Sequence, residues 1–179
     1  MSLVTIGGYG FDERRFITAL RVAEVDTFVD VRRRRGLRGR RYAFLNGKRL
    51  QIALAETGIH YVHCLDLAPT QAIRDIQKKR DTETQTEKRT RTHLSPEFVA
   101  AYKSEVLDGF DFAAFWSAIG SDSKVVALFC VEGQPEACHR SLISNSFGRC
   151  SCLATPIVGS ATQPPGTPPK ASDCLEGRN

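Results

Sequence analysis

Reactive side chains are concentrated in one stretch of the chain, residues 125–140, which reads V-V-A-L-F-C-V-E-G-Q-P-E-A-C-H-R. An apolar run ends at Cys130 and Glu132, and Cys138 and His139 follow after a Gly/Pro turn. A thiolate near a helix N-terminus is stabilised, and histidine exchanges protons near neutral pH. We therefore predict that these four residues are catalytic.

Arg140 completes the same stretch, at the start of a helix predicted over residues 135–147. With the backbone N–H groups of that helix, it can bind an oxyanion or a phosphate. The alternative is structural, because cysteines are common core residues and Arg140 can simply tie down the loop. The number of reactive groups at one strand-to-helix junction favours a functional site.

A phosphatase-type loop does not explain this stretch. Such loops place a nucleophilic cysteine at a strand end and close a C-x5-R pattern with arginine. Counted from Cys130, that position is Glu136, and Arg140 completes C-x9-R instead. The spacing argues against a standard phosphatase or persulfide loop centred on Cys130.

Two other predicted strand ends carry residues suited to anion binding. Gly7, Gly8 and Tyr9 follow a first short strand, where glycines let the backbone approach a ligand, although such a loop is more often a tight turn. Asp30 and Arg32 end the second strand on the same side of the extended chain, as a structural ion pair or as a ligand clamp. We predict that these five residues bind substrate anions together with the arginine of the main stretch.

Strands alternate with helices along the chain, and Ser95-Pro96 provides an N-cap and a first helical residue. The predicted strands are residues 3–6, 27–31, 59–65, 124–131 and a short fifth at 152–158. We predict an α/β fold, Rossmann-like, with a mainly parallel sheet of four to five strands flanked by helices. Residues 1–158 form one domain, and the Pro/Gly-rich residues 159–179 are a disordered tail. Ligands of such sheets bind beyond the carboxyl ends of the strands.

Positive charge is concentrated in residues 32–41, which contain seven arginines in a chain of net charge +5. Such a block attracts phosphate-rich polymers, although a solvated loop is the plainer interpretation. The residues predicted to contact nucleic acid are Arg33, Arg34, Arg35, Arg38, Arg40, Arg41 and Tyr42. The polar residues 78–94 are predicted to be a mobile basic insertion that is a lid, a second nucleic-acid-contacting arm or a solvated loop.

Composition limits the remaining classes. The six cysteines do not form paired C-x-x-C blocks, so we expect free thiols, no metal site and no cofactor. The N-terminus lacks the features of a signal peptide, and no apolar run approaches the roughly 20 residues of a membrane span. We therefore expect a cytoplasmic protein with no membrane partner.

The ordered motifs resemble the family of domains of unknown function numbered 488. They are T-I-G-G-Y (residues 5–9), V-D-V-R (29–32), L-x-x-A-L-A-x-T-G-I-x-Y-V-H (50–63), L-F-C-V-E (128–132) and C-H-R-S-L-I (138–143). The resemblance implies a compact α/β domain whose signature residues are the C-x-E and C-H-R pair, and it implies no activity. Gly8-Tyr9 stands where the family usually has His-Ser, and Leu67-Ala68 where it usually has Leu-Gly.

Three functions are compatible with these features. The first is an enzyme of hydrolase or glycosylase type that acts on a nucleic acid or nucleotide, for example in DNA processing or repair. The second is a cysteine-dependent enzyme for small molecules, in sulfur transfer or redox chemistry. The third is a nucleic-acid-binding module without catalysis.

Overall fold

The computed structural model describes residues 1–120 and 122–147, so the predicted strand at 152–158 and the tail at 159–179 lie outside the described residues. The strands are β1 (Ser2–Gly7), β2 (Thr27–Asp30), β3 (His60–His63) and β4 (Val125–Cys130). The α-helices are α1 (Glu13–Val22), α2 (Gly47–Glu56), α3 (Gln71–Glu83), α4 (Pro96–Tyr102), α5 (Phe112–Ile119) and α6 (His139–Phe147). A 3-10 helix spans Arg40–Leu45, and a π-helical turn at Lys103–Leu107 continues α4.

The four strands form one parallel sheet in the order β1-β4-β2-β3. The two central strands, β4 and β2, are almost wholly buried, as the unbroken apolar sequence of β4 predicts for a sheet covered on both faces. The edge strand β3 is half-buried. The predicted α/β fold is confirmed, and the carboxyl ends of all four strands meet at one edge of the sheet.

The helix after β4 begins later than predicted. Residues 135–138 form a turn in which the Cys138 N–H donates to the Pro135 carbonyl at 3.0 Å, and α6 begins only at His139. Cys138 therefore precedes the helix instead of lying in its first turn. At α4 the predicted start is confirmed, because the Ser95 hydroxyl accepts from the Phe98 N–H at 3.1 Å.

The polar segment in the middle of the chain is more ordered than its composition predicts. Helix α3 extends through Glu83, so the first residues of the predicted insertion at 78–94 are helical. The buried Gln77 side chain accepts from the Ser95 N–H at 2.8 Å and donates to Asp81 at 2.7 Å. The Leu94 N–H donates to the Glu136 carbonyl at 3.1 Å, which fixes the end of the segment beside the loop after β4.

A cluster of aromatic rings fills the core beneath the sheet. Phe16 of α1 packs edge-on against Phe28 and Phe129 of the central strands. Trp116 of α5 packs against Phe147 of α6, as expected of a core helix and not of a binding face. Within the described residues, no helix is both long and apolar enough to cross a bilayer.

Candidate functional site

The three strand ends predicted to converge are joined by backbone hydrogen bonds. The Gly8 N–H donates to the Cys130 carbonyl at 3.1 Å, and the Tyr9 N–H donates to the Val131 carbonyl at 2.9 Å. On the other side, the Val31 N–H donates to the Phe129 carbonyl at 3.1 Å. The sheet is thus extended past its last regular residues, and the loop after β4 lies between the other two ends.

The glycines after β1 allow the chains to approach closely. A Cβ atom on Gly7 would collide with the carbonyl oxygen of Glu132, and one on Gly8 would lie 2.5 Å from Leu45 Cδ1. The amides of Gly8 and Tyr9 already donate to the extension of β4. These contacts give the three residues a packing role in the structure, and their contact with an anion stays a prediction.

Glu132 accepts hydrogen bonds from two cysteine thiols. Its Oε2 lies 2.9 Å from Cys130 Sγ and 3.5 Å from Cys138 Sγ. Cys138 is 1% exposed, and Glu132 is 7% exposed. Two cysteines, one at the end of β4 and one just before α6, thus present their thiols to one carboxylate oxygen.

The other oxygen of Glu132 faces basic side chains from the middle segment. Oε1 lies 3.0 Å from Lys88 Nζ and 3.9 Å from the guanidinium of Arg91, which also pairs with Asp81 at 2.8 Å. Burial alone would raise the pKa of Glu132, but attraction to Lys88 and the hydrogen bond from Cys130 outweigh it. The pKa of Glu132 consequently lies well below its ordinary value, and the group is a carboxylate at neutral pH.

The pKa of the Cys130 thiol is shifted in the opposite direction. Its hydrogen bond with Cys138, its burial and the nearby negative charge of Glu132 together raise the pKa of Cys130 well above the ordinary value. Cys130 is therefore a neutral thiol beside an ionised carboxylate. This environment does not favour Cys130 as a resting thiolate nucleophile.

His139 is held in one orientation by the backbone of the neighbouring strand end. Its Nε2 lies 3.1 Å from the Val31 carbonyl oxygen, and its ring packs edge-on against Tyr102. A carbonyl can only accept, so Nε2 carries a proton, and in the neutral ring Nδ1 has the lone pair. Nδ1 lies 3.8 Å from Cys138 Sγ.

Arg140 and Arg32 are buried and already have protein partners. Arg140 is 1% exposed and donates to the carbonyls of Glu132 at 2.5 Å and Gly133 at 2.8 Å, so it ties down the loop after β4. Arg32 makes a two-point ion pair with Asp30 at 2.8 and 2.7 Å. Its Nη1 has no hydrogen-bond partner among the described residues.

The four predicted catalytic residues line one cleft of about 390 Å³. This volume lies in the range of roughly 300 to 1,000 Å³ that is usual for ligand sites. Basic residues outnumber the acidic Asp75, Asp81 and Glu132 in its lining, and they are Arg32, Arg33, Arg34, Arg74, Lys78, Lys88 and Arg91. The cleft therefore combines a carboxylate, two thiols and an imidazole at its floor with positive charge around them.

The arginine loop, residues 33–41, divides into two parts. Arg33 and Arg34 are exposed and line the cleft, whereas Arg38, Arg40 and Arg41 are exposed outside its lining. Arg35 lies 3.5 Å from the Tyr61 hydroxyl. Tyr42, predicted to contact nucleic acid, is 9% exposed and packs against Tyr9.

Sequence reasoning missed the residues that reach the site from the middle segment. Lys88 and Arg91 contact Glu132, and Asp81 holds Arg91. They lie in a polar, threonine-rich stretch whose composition resembles that of a solvated loop. Tyr102, which flanks His139 and donates to the Leu67 carbonyl at 2.6 Å, was likewise not predicted as part of the site.

Comparison with known families identifies the class of the chain. The model of the domain of unknown function DUF488 matches residues 12–147, so this chain belongs to that family. The match includes both the C-x-E and C-H-R motifs, whereas residues 5–9 precede it. No curated protein and no solved structure matches the chain.

Proposed function

We propose that the protein is a hydrolase that acts on a nucleotide or a nucleic acid, with Glu132 at the reacting centre. One observation carries the proposal: a buried carboxylate lies at the floor of a cleft whose walls are lined by basic side chains. Phosphate groups give substrates the charge that such walls attract, and a fixed carboxylate serves hydrolysis.

The basic side chains can bind a phosphate without dismantling the floor. The side chain of Lys88 is 52% exposed, so it can turn from Glu132 towards a bound phosphate. Arg33 and Arg34 are exposed at the wall of the cleft. Guanidinium groups bind phosphate with two parallel hydrogen bonds, which makes these two arginines the stronger phosphate ligands.

Glu132 can serve two kinds of hydrolysis. Its low pKa suits the stabilisation of positive charge that develops on a sugar carbon during glycosidic cleavage. Once Lys88 turns to a bound phosphate and no longer lowers this pKa, Glu132 can also take a proton from an attacking water. Its two thiol donors fix the carboxylate in place, which limits the reorganisation needed during reaction. Processing or repair of DNA is the version that we would test first.

The other two functions predict different behaviour. A cysteine-dependent enzyme needs an accessible thiolate, and the raised pKa and burial of Cys130 oppose this for one of the two thiols. A binding module without catalysis needs the basic walls alone, so the floor carboxylate would be dispensable.

The test is a product assay with nucleotides and with single- and double-stranded DNA and RNA, which separates released phosphate from released base. We expect turnover by the wild-type protein and a loss of roughly 100-fold or more with Glu132→Gln. Glu136→Gln is the matched control, because Glu136 is exposed on the same loop and lies outside the lining of the cleft.

The outcomes separate the three functions. Binding at low salt without turnover, unchanged by Glu132→Gln, would leave only the binding module. Turnover of a sulfur-containing substrate that iodoacetamide abolishes would indicate the thiol enzyme. No turnover of any nucleotide or nucleic acid, and no binding to them at low salt, would reject the proposal.

A further inference from the structure

We propose that Cys130, Cys138 and His139 bind a zinc ion at the floor of the cleft. Their ligand atoms, Sγ, Sγ and Nδ1, all lie within 4.8 Å of one another, and all three side chains are buried. Two thiolates and one imidazole form a ligand set that Zn²⁺ prefers, and three protein ligands leave a fourth position for water.

The observed separations suit tetrahedral coordination. With Zn–S of about 2.3 Å and Zn–N of about 2.05 Å, tetrahedral angles require ligand atoms about 3.6 to 3.8 Å apart. Cys138 Sγ and His139 Nδ1 are 3.8 Å apart. With all three ligand atoms within 4.8 Å of one another, the side chains need to close by only about 1 Å at most to bind an ion.

The hydrogen bond of His139 to the backbone suits a metal at its other ring nitrogen. The Val31 carbonyl accepts the Nε2 proton at 3.1 Å, so the lone pair of Nδ1 is directed to the side where Cys138 lies. A backbone carbonyl on the remote nitrogen is the usual orienting partner of a metal-bound histidine. This contact is independent of the spacing of the cysteines and supports the same site.

The surrounding charges compensate for the ion and its ligands. Two thiolates and a neutral imidazole cancel the charge of Zn²⁺, and Glu132 next to them is balanced by Lys88. Binding releases both thiol protons to solvent, so the two thiol–carboxylate hydrogen bonds belong to the metal-free form, and Lys88 and Arg91 hold Glu132 when the ion is bound. The C-x7-C-H spacing lacks paired C-x-x-C blocks, which is why the sequence led us to expect no metal.

The catalytic role of this ion rests on the proposed function, whereas its binding does not. Zinc lowers the pKa of bound water, so Glu132 can take a proton from that water at neutral pH. The resulting hydroxide attacks the electrophilic atom of the substrate, and Glu132 returns the proton to the leaving group. A Cys2His zinc site with a non-ligand glutamate as acid and base is an established hydrolytic arrangement.

The test is metal binding by the full chain under a phosphine reductant, with Zn²⁺ measured by elemental analysis and Co²⁺ by absorption. We expect one tightly bound Zn²⁺ per chain. Co²⁺ should give thiolate charge-transfer bands and the intense visible bands of a tetrahedral ion. A wild-type protein that binds no Zn²⁺ and gives only the weak spectrum of octahedral Co²⁺ would overturn the proposal without any variant.

Variants locate the site. Cys130→Ser, Cys138→Ser and His139→Ala should each weaken Zn²⁺ binding at least tenfold. Cys64→Ser and His93→Ala are controls, because Cys64 is a buried thiol at the end of β3 and His93 is exposed. A chain with Cys150, Cys152 and Cys174 replaced by serine should keep full binding. Loss of Zn²⁺ binding in that chain, or full Zn²⁺ binding by Cys138→Ser, would contradict the proposed ligands.

Failure of this inference is distinguishable from failure of the proposed function. A stoichiometric Zn²⁺ site without turnover of nucleotides or nucleic acids would reject the function and keep the site. Turnover that persists with a strong chelator and without bound Zn²⁺ would reject the catalytic role of the ion and keep the function, whereas the site itself is rejected only by the absence of Zn²⁺ binding. Glu132→Gln should keep the metal, because Glu132 is not among the proposed ligands.

Discussion

Arginines buried at the site and arginines exposed in the neighbouring loop have opposite roles. Arg32, which lines the cleft, and Arg140, which ties down the loop after β4, are 3% and 1% exposed and are bonded to Asp30 and to backbone carbonyls. In the loop, Arg34 and Arg40 are exposed. A buried guanidinium must be paired within the protein, whereas an exposed one remains available to an external anion.

The difference separates architecture from recognition. The buried Arg32 and Arg140 hold the strand ends and the loop after β4 in place, which positions Glu132 and the thiols. The exposed arginines contribute little to folding, because surface ion pairs are weak and screened by salt. Substitutions at the floor should therefore change stability, and substitutions in the loop should change binding.

The largest expected effect is on the buried ion pair. Asp30→Asn leaves Arg32 as a buried, uncompensated charge, so we expect a loss of about 3 to 5 kcal/mol in the free energy of unfolding. The exposed pair of Glu13 and Arg49, at 2.6 Å, is the control, and Glu13→Gln should cost less than about 1 kcal/mol. Urea unfolding measures both, and equal losses would show that burial does not distinguish the two pairs.

The next effect concerns the close approach of backbones at the floor. Gly7→Ala places a methyl group against the carbonyl of Glu132, and we expect a loss of about 2 to 3 kcal/mol in the free energy of unfolding. A methyl group on Gly36 of the arginine loop would meet no atom within 4 Å, so Gly36→Ala should be nearly neutral. Thermal unfolding of the two variants tests the contrast. A stable Gly7→Ala protein would mean that the loop after β4 can move away.

The smallest effect divides the arginine loop itself. Reversing the charges of Arg33 and Arg34, which line the cleft, should weaken binding of a nucleotide or oligonucleotide on the order of tenfold. It should also reduce the salt dependence of that binding. Reversing the charges of Arg40 and Arg41 changes the net charge equally, but these two residues lie outside the lining of the cleft. Titrations at several salt concentrations compare the pairs. Equal weakening of binding by the two pairs would indicate a general effect of charge and no specific contact with Arg33 and Arg34.

Sequence patterns predicted the frame of this site because they depend on local chemistry. The unbroken apolar residues of β4 indicated a strand buried on both faces, and Ser95-Pro96 indicated the start of α4. Patterns could not reveal that Lys88 and Arg91 reach Glu132, because those contacts link positions more than 40 residues apart in the chain. The end of α3 was also misjudged, since buried Gln77 stabilises a helix whose exposed residues resemble a loop.

The sequence by itself determined which residues at the end of β4 carry chemistry, because Cys130, Glu132, Cys138 and His139 are close in the chain. Only the tertiary structure decided their relations. It directed both thiols to Glu132, fixed His139 on the Val31 carbonyl and bound Arg140 to the loop carbonyls. The reason is physical: residue type sets what a side chain can donate or accept, while burial and packing set which partner it has.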